Sequence, residues 1–281
     1  MAITVSPLRY PGGKSSLYPF VKTLIDKNRL QKCTYIEPYA GGAGLALKLL
    51  FNGDVGQIVL NDCDPAIFSF WNSVLNRTDD LICLIKQTPV TIQEWYNQKD
   101  EFDREGDGDL LYYGFATFFL NRTNVSGILK GGVIGGVSQT GSYKINARFK
   151  KDDLISKICK IASHKSQITL FNLDALDLIY SIIPEFDHTF INYDPPYVSK
   201  GSKLYTNFYQ ENDHKILHNA IIQSPTPWMV TYDDCDLIRH LYADQHAYLL
   251  PINYSAGSTK STKEIGIFSK SLIIPEGIQK V

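Results

Sequence analysis

The segment Asn192-Tyr193-Asp194-Pro195-Pro196-Tyr197 sets a carboxylate, a proline carbonyl and an aromatic ring within four residues, directly behind the apolar run Thr189-Phe190-Ile191. A short apolar run that stops at a carboxylate and two prolines is predicted to be a buried strand delivering polar groups to the carboxyl edge of a sheet. Open α/β sheets bind their ligands at that edge. Each proline fixes its own φ and restricts the residue before it, so Asp194 and Pro195 are held extended and stiff. Such a loop can aim its groups at one small planar object, and a nucleobase with an exocyclic amine fits. That amine is a poor nucleophile because its lone pair is delocalised into the ring. Acceptors at both N–H groups, the Asp194 carboxylate and the Pro195 carbonyl, would localise the pair for attack, and Tyr197 would stack on the base. The competing reading is a rigid turn without chemistry.

An Asp-Pro-Pro-Tyr motif behind a strand resembles the catalytic motif of the amino methyltransferases, which alkylate adenine N6 or cytosine N4 with S-adenosylmethionine. The motif alone leaves both bases open. From about Leu8 to Ser269, however, segment after segment resembles the Dam-type DNA adenine N6-methyltransferases (the α group). The fold this resemblance implies is α/β, a Rossmann-like S-adenosylmethionine-dependent methyltransferase sheet with an inserted, mainly helical DNA-recognition module. An RNA adenine or DNA cytosine-N4 methyltransferase, or a non-catalytic DNA-binding subunit of the same fold, stays open on the sequence alone.

The elements that must position the motif can be followed along the chain. Arg9-Tyr10-Pro11-Gly12-Gly13-Lys14 is a turn before a helix pattern (Leu17, Phe20, Val21, Leu24, Ile25), and the Gly pair permits close backbone approach to a ligand. It is similar to the family's N-terminal cofactor segment, which implies Tyr10 against the cofactor's adenine, Lys14 reaching the cofactor and the catalytic edge, and Arg9 reaching DNA. Thr34 to Gly44 reads as strand, Gly-rich turn and helix start. Glu37 stands where a phosphate binder would want no acid, so the turn suits a cationic, phosphate-free cofactor better than a dinucleotide. The next strand, Gln57 to Leu60, ends at Asn61-Asp62, where an acid can take ribose hydroxyls. Glu37, Tyr39, Gly41, Gly42 and Asp62 are therefore candidate cofactor residues. Asp174, behind the strand Ile168 to Phe171, matches a position that contacts the cofactor's adenine and is equally placed to cap a helix.

Between Pro65 and Ser166 the pattern is helix and loop: a helix from Pro65 to Leu75, a capping box at Thr91-Ile92-Gln93-Glu94, a dense apolar helix from Leu110 to Leu120 and an amphipathic one from Lys151 to Ala162. The expected division is a catalytic domain of residues 1–65 and 166–281 around an inserted recognition module of residues 66–165. From Arg122 to Lys165 nine basic residues face only Asp152 and Asp153, a local excess of +7 hidden beneath an overall charge of −1. Asn121, Arg122, Asn124, Ser126 and Lys130 open a polar loop. Five glycines then punctuate a predicted β-hairpin or mobile loop, which also holds Gln139 and closes on Tyr143, Lys144 and Arg148. Glycine lets backbone lie against phosphates, and the interleaved polar and aromatic groups can read base edges. This stretch resembles the family's target-recognition region. Ser126 and Lys130 stand where GATC-methylating members carry Asn and Arg, so the resemblance does not extend to GATC as the recognition sequence.

Past the motif, Lys203 to Tyr209 is an aromatic candidate lid, and Trp228 to Tyr232, Ala247 to Ile252 and Glu264 to Phe268 read as strands. The polar stretch Asn253 to Lys263 (Tyr254, Ser258, Lys260) offers lysines to phosphates, with Lys260 the candidate contact. With 44% hydrophobic and 20% charged residues the composition is that of an ordinary globular protein, and the expected setting is cytoplasmic, without membrane association. Five cysteines without a C-x-x-C pair argue against metal and disulfide frameworks alike. The partners expected are double-stranded DNA and, for a restriction-modification enzyme, a companion endonuclease; the chain is expected to be monomeric in solution.

Overall fold

The computed structural model describes residues 4–10, 12–105, 107–198, 209–250 and 264–281. Residues 203–208 of the candidate lid Lys203 to Tyr209, and the stretch from Asn253 to Lys263 with Lys260, lie outside the described residues. The strands are β1 (Thr34–Glu37), β2 (Gln57–Asn61), β3 (Ile168–Phe171), β4 (Thr189–Tyr193), β5 (Trp228–Asp233), β6 (His246–Leu250), β7 (Glu264–Phe268) and β8 (Gln279–Lys280). The helices are α1 (Tyr18–Lys27), α2 (Gly44–Phe51), α3 (Pro65–Asn76), α4 (Thr78–Gln87), α5 (Ile92–Asp103), α6 (Leu110–Thr123), α7 (Lys151–Ala162), α8 (Ala175–Asp177), α9 (Glu211–Gln223) and α10 (Asp236–Leu241). The fold is mixed α/β. By internal packing the chain forms two compact units, a sheet unit (Gly12–Cys63 and Leu173–Val281) and a helical unit (Met1–Pro11 and Asp64–Asn172).

Within an eight-stranded mixed sheet, the strands of the sheet unit run in the order β2-β1-β4-β5-β7-β6-β8. β1 pairs in parallel with β2 (Ile36 opposite Val59) and with β4 (Ile36 opposite Ile191), and β4 with β5 (Tyr193 opposite Val230). Every residue of β1 and β4 is buried, which is why neither strand alternates apolar with polar residues along its length. The four parallel strands end on one edge, and each ends in a polar group: Glu37, Asn61, Asp194 behind β4, and Asp233. β7 runs the other way, with Glu264 opposite Asp233 of β5 and Leu250 of β6. An antiparallel strand begins where its parallel neighbours finish. Glu264 is thereby delivered to the edge on which the motif sits.

The helical unit is built around α6. From Tyr113 to Thr123 it is buried on all sides, so it carries almost no polar face. Phe118 stacks on Phe70 of α3 at 5.5 Å between ring centres, and Phe149 closes on both Phe118 and Phe119. α6 and α3 approach so closely that a side chain at Gly114 would collide with the Ser69 carbonyl and hydroxyl-bearing Ser73.

Two expectations need correction. The capping box at Thr91 is only half made: Thr91 Oγ1 accepts from Glu94 N at 3.2 Å, but the Glu94 carboxylate turns to Asn97 and Gln98 instead of back to the cap. The Gly-rich segment, expected as a β-hairpin or a mobile loop, does not take the hairpin form. Its described part has one isolated bridge, Asn124 with Val133, and otherwise folds as turns around Gln139. Gln139 sits at φ 53°, and its side-chain amide donates to the carbonyls of Ile134 and Gly136 while accepting from Ile145 N. An amide that satisfies three backbone groups of its own loop gives those groups no reason to form a ladder.

Alanine at Gly114 tests the α3–α6 contact. Helix propensity alone favours alanine by about 1 kcal/mol; the collision makes Gly114→Ala destabilising instead, by about 1–3 kcal/mol in urea unfolding.

Candidate active site

Lys14 is the hub of the edge. It is buried in the 3-10 turn Lys14–Leu17 that precedes α1, and its Nζ lies 2.7 Å from Asp194 Oδ2 and 3.6 Å from Glu264 Oε2. It also donates to the Gly12 carbonyl at 2.8 Å and to the Tyr197 hydroxyl at 2.9 Å. Asp194 is anchored from its other oxygen, where Oδ1 accepts from Thr231 Oγ1 of β5 at 2.7 Å. A carboxylate oxygen has two acceptor positions, so each keeps one for a further donor. Behind the motif, Val198 N donates to Asp233 Oδ1 at 3.0 Å, tying the rigid loop to the end of β5. Pro195 is buried and Pro196 half-buried, so the pair is fixed by packing as well as by its rings.

The turn between β1 and α2 is held as tightly. Gly41 lies at φ 45° and Ala43 at φ 47°, and a side chain at Gly44 would displace the Ser15 hydroxyl. Gly41 N donates to Asp62 Oδ2 at 2.8 Å. Asn61, fully buried, donates to the carbonyls of Pro38 and Leu173 and accepts from Leu173 N, so the ends of β1 and β2 and the segment before α8 are joined by one side chain. Tyr39 is half-buried, its hydroxyl 3.0 Å from that of Tyr209. Gly42 is buried in the turn, and Asp174 is exposed and caps α8 by accepting from Leu176 N at 2.8 Å.

Glu37 is buried, and Oε1 accepts from Ala46 N and the Tyr35 hydroxyl, both at 3.2 Å. The carboxyl thus clips α2 to β1. Burial first, with Asp194 adding to it, raises its pKa to about 8, so it is largely protonated at neutral pH. Glu264 is likewise raised to about 7 by burial, with Lys14 pulling the other way and Asp194 adding to the rise.

The candidate DNA residues belong to the helical unit. Three of them take a different use from the base reading expected: Asn121, Arg122 and Asn124 are buried and spent on backbone. Asn121 accepts from Arg9 N and donates to the carbonyls of Arg9 and Gly127. Arg122 donates to the carbonyls of Arg148 and Pro7. Asn124 accepts from the Trp95 indole and donates to the carbonyls of Ile128 and Leu129, while Arg9 donates to its carbonyl. Together they pin the first residues of the chain and shape the loop. Gln139 is spent in the same way.

Ser126, Lys130, Tyr143, Lys144 and Arg148 are exposed, Tyr143 by 65%, with the Arg148 guanidinium 5.6 Å from the Tyr143 ring centre. Arg9 and Tyr10 are half-buried. Burial, and then the neighbouring Arg148, lowers the pKa of Arg9. Burial, with Arg9 and Arg148 adding to it, lowers Arg122 to about 10. Arg9, Arg122 and Arg148 crowd one another, with Asp153 the acid set against Arg122, and such crowding favours an anion nearby.

The sequence reading missed Thr231 and Glu264 as site groups. The available signal was a carboxylate opening an otherwise apolar five-residue strand, Glu264-Ile265-Gly266-Ile267-Phe268. Among the described residues no group of His, Cys, Asp and Glu is arranged to hold a metal, and no helix is long and apolar enough to cross a membrane.

A raised carboxyl pKa contributes stability that is complete below the unfolded-state value and is lost as pH climbs through the folded one. Glu37 therefore costs stability between about pH 4.5 and pH 8. In Glu37→Gln the fall in urea midpoint from pH 6 to pH 9 is expected to be smaller than in the wild type, and an equal fall would refute the assignment.

Comparison with known proteins places this geometry. The family described as D12 class N6 adenine-specific DNA methyltransferase matches residues 10–254. The chain is 21% identical over 270 residues to the DNA adenine methylase of Escherichia coli (strain K12), covering 92% of this chain and 91% of that protein. It is 24% identical over 232 residues to the type II methyltransferase M.MjaIII of Methanocaldococcus jannaschii, covering 74% and 76%.

Proposed function

The chain belongs to the D12 class N6 adenine-specific DNA methyltransferases, and from that premise we propose that Asp194 and Pro195 hold the target adenine and activate its N6. The observation that carries this is the double anchoring of Asp194 by Lys14 and Thr231, both at 2.7 Å, which leaves each oxygen one acceptor position. An N6–H donated to Asp194 and a second donated to the Pro195 carbonyl localise the nitrogen lone pair. Tyr197, whose hydroxyl is fixed by Lys14, offers its ring to the base face, and Pro196 keeps the loop from yielding. Fixed acceptors avoid reorganisation during reaction, so orientation supplies much of the rate. Asp194 accepts the proton that the methylated nitrogen sheds. The substrate adenine is taken out of duplex DNA, because N6 within the stack is closed to in-line attack.

The family implies S-adenosylmethionine, which when bound supplies a methyl group already activated on a sulfonium. The donor set fits such a ligand: Asp62, Asp194 and Glu264 line the strand ends with Lys14 among them, a balance suited to a cationic, phosphate-free molecule. Asp62 would take ribose hydroxyls, Gly41 and Gly42 would let the backbone approach, and Lys14 would take the carboxylate end. Tyr10, Tyr39 and Asp174 would meet the adenine. Glu37, already clipped to α2 and largely protonated at neutral pH, would hold the turn in place for the cofactor instead of meeting it directly.

For the DNA we propose an inserted helical module in which Asn121, Arg122 and Asn124 position the chain. Arg9, Ser126, Lys130, Tyr143, Lys144 and Arg148, with Lys260, meet phosphates and bases. Crowding of Arg9, Arg122 and Arg148 supports an anionic partner there. Departure at Ser126 and Lys130 supports a target other than GATC. Similarity to a type II methyltransferase supports a companion restriction endonuclease.

Single-molecule sequencing of genomic DNA from a methylation-free host expressing the chain tests the reading. N6-methyladenine confined to one short motif is expected, and Asp194→Asn should reduce it about 100-fold or more while circular dichroism stays unchanged. Wild-type methylation by Asp194→Asn would remove the proposed role. Separately, Lys144→Ala with Arg148→Ala should make the slope of log affinity against log salt shallower by about 2. An unaltered slope would put the phosphate contacts elsewhere.

A further inference from the structure

Glu264 is an acid that methyl transfer, as proposed, does not use. It is 1% exposed, and among the described residues neither of its oxygens has a partner at full hydrogen-bond geometry, with Lys14 and Tyr197 the polar side chains beside it. The groups around it come from every neighbouring element. Lys14 approaches from the turn before α1, Asp194 and Tyr197 from the loop behind β4, Asp233 stands opposite on β5, and Leu250 on β6 is apolar. When both are ionised, Lys14 faces two carboxylates, Asp194 at 2.7 Å and Glu264 at 3.6 Å. A buried excess of negative charge is costly unless a cation joins it.

We propose that Glu264 is a specificity residue that makes the site prefer the sulfonium methyl donor to its neutral thioether product. This rests on the cofactor reading given above. In the reaction the C–S bond breaks with its electron pair staying on sulfur, a C–N bond forms at N6, and the N6 proton leaves through Asp194. Donor and product therefore differ at the site by one positive charge and a methyl group. A carboxylate within 4 Å of the lysine that bridges to Asp194 opposes the product and favours the donor. Burial holds Glu264 near pKa 7, so the arriving cation ionises it and a proton is released on binding; the thioether ionises it less.

Calorimetry on the full chain, with S-adenosylmethionine and S-adenosylhomocysteine at pH 7 in two buffers of different ionisation heat, tests this. The wild type should release more protons with the donor than with the product. Glu264→Gln should lose on the order of tenfold in affinity for the donor and much less for the product, and the difference in proton release should vanish. Equal losses for both ligands, or a proton difference that survives in Glu264→Gln, overturns the proposal. If the variant does not fold, equal proton release by the two ligands in the wild type overturns it equally. Binding of neither ligand to the wild type would overturn the cofactor reading, and this inference with it.

Discussion

A single buried ammonium group organises the edge at which the parallel strands end. Lys14 holds Asp194 at 2.7 Å, the Tyr197 hydroxyl at 2.9 Å and, more loosely, Glu264 at 3.6 Å. Burying one charge is expensive, and burying it among three partners of suitable chemistry offsets that expense only when the geometry is close. The rest of the sheet unit supplies that geometry. Parallel pairing brings the ends of β1, β2, β4 and β5 to one edge, the prolines stiffen the loop, and β7 contributes its carboxylate from the opposite direction. Removal of the ammonium would leave carboxylates repelling one another in a low-dielectric site.

Much of this arrangement was legible in the chain because parallel strands announce their own ends. Glu37, Asp62 and Asp194 each follow a buried apolar run, and the rule that ligands gather at that edge joins them without any tertiary information. Glu264 and Thr231 were not legible in the same way. Their place depends on β7 lying between β5 and β6, and sheet order is a long-range property that local pattern does not encode. The Lys14–Tyr197 bond makes the same point: the sequence presents a lysine beside two glycines, and only the fold supplies a partner 183 residues on.

The helical unit shows the opposite kind of error. Asn121, Arg122 and Asn124, polar residues at the end of an apolar helix, read equally well as exposed readers or as buried clamps. The first residues of the chain decide the matter by returning to take their hydrogen bonds. Gln139 looked like a base reader within a glycine-rich loop and is the loop's internal scaffold. In both places side-chain amides and guanidinium groups satisfy backbone that has no ladder of its own. The residues left pointing outward, Tyr143, Lys144 and Arg148 among them, are fewer than composition implied, and they stand on a more rigid base.

The contact between Lys14 and Tyr197, spanning 183 residues, also has a kinetic side. Loops of that length close late, after local helices and neighbouring strand pairs have formed, because the chain entropy must be spent before the contact returns anything. The groups proposed to activate the nucleophile therefore meet only once the turn before α1 and the loop behind β4 have been brought together. A compact intermediate with intact α6 and intact β1–α2 would have no assembled catalytic edge. Appearance of activity during refolding would then report completion of the fold itself, not of any one of its segments.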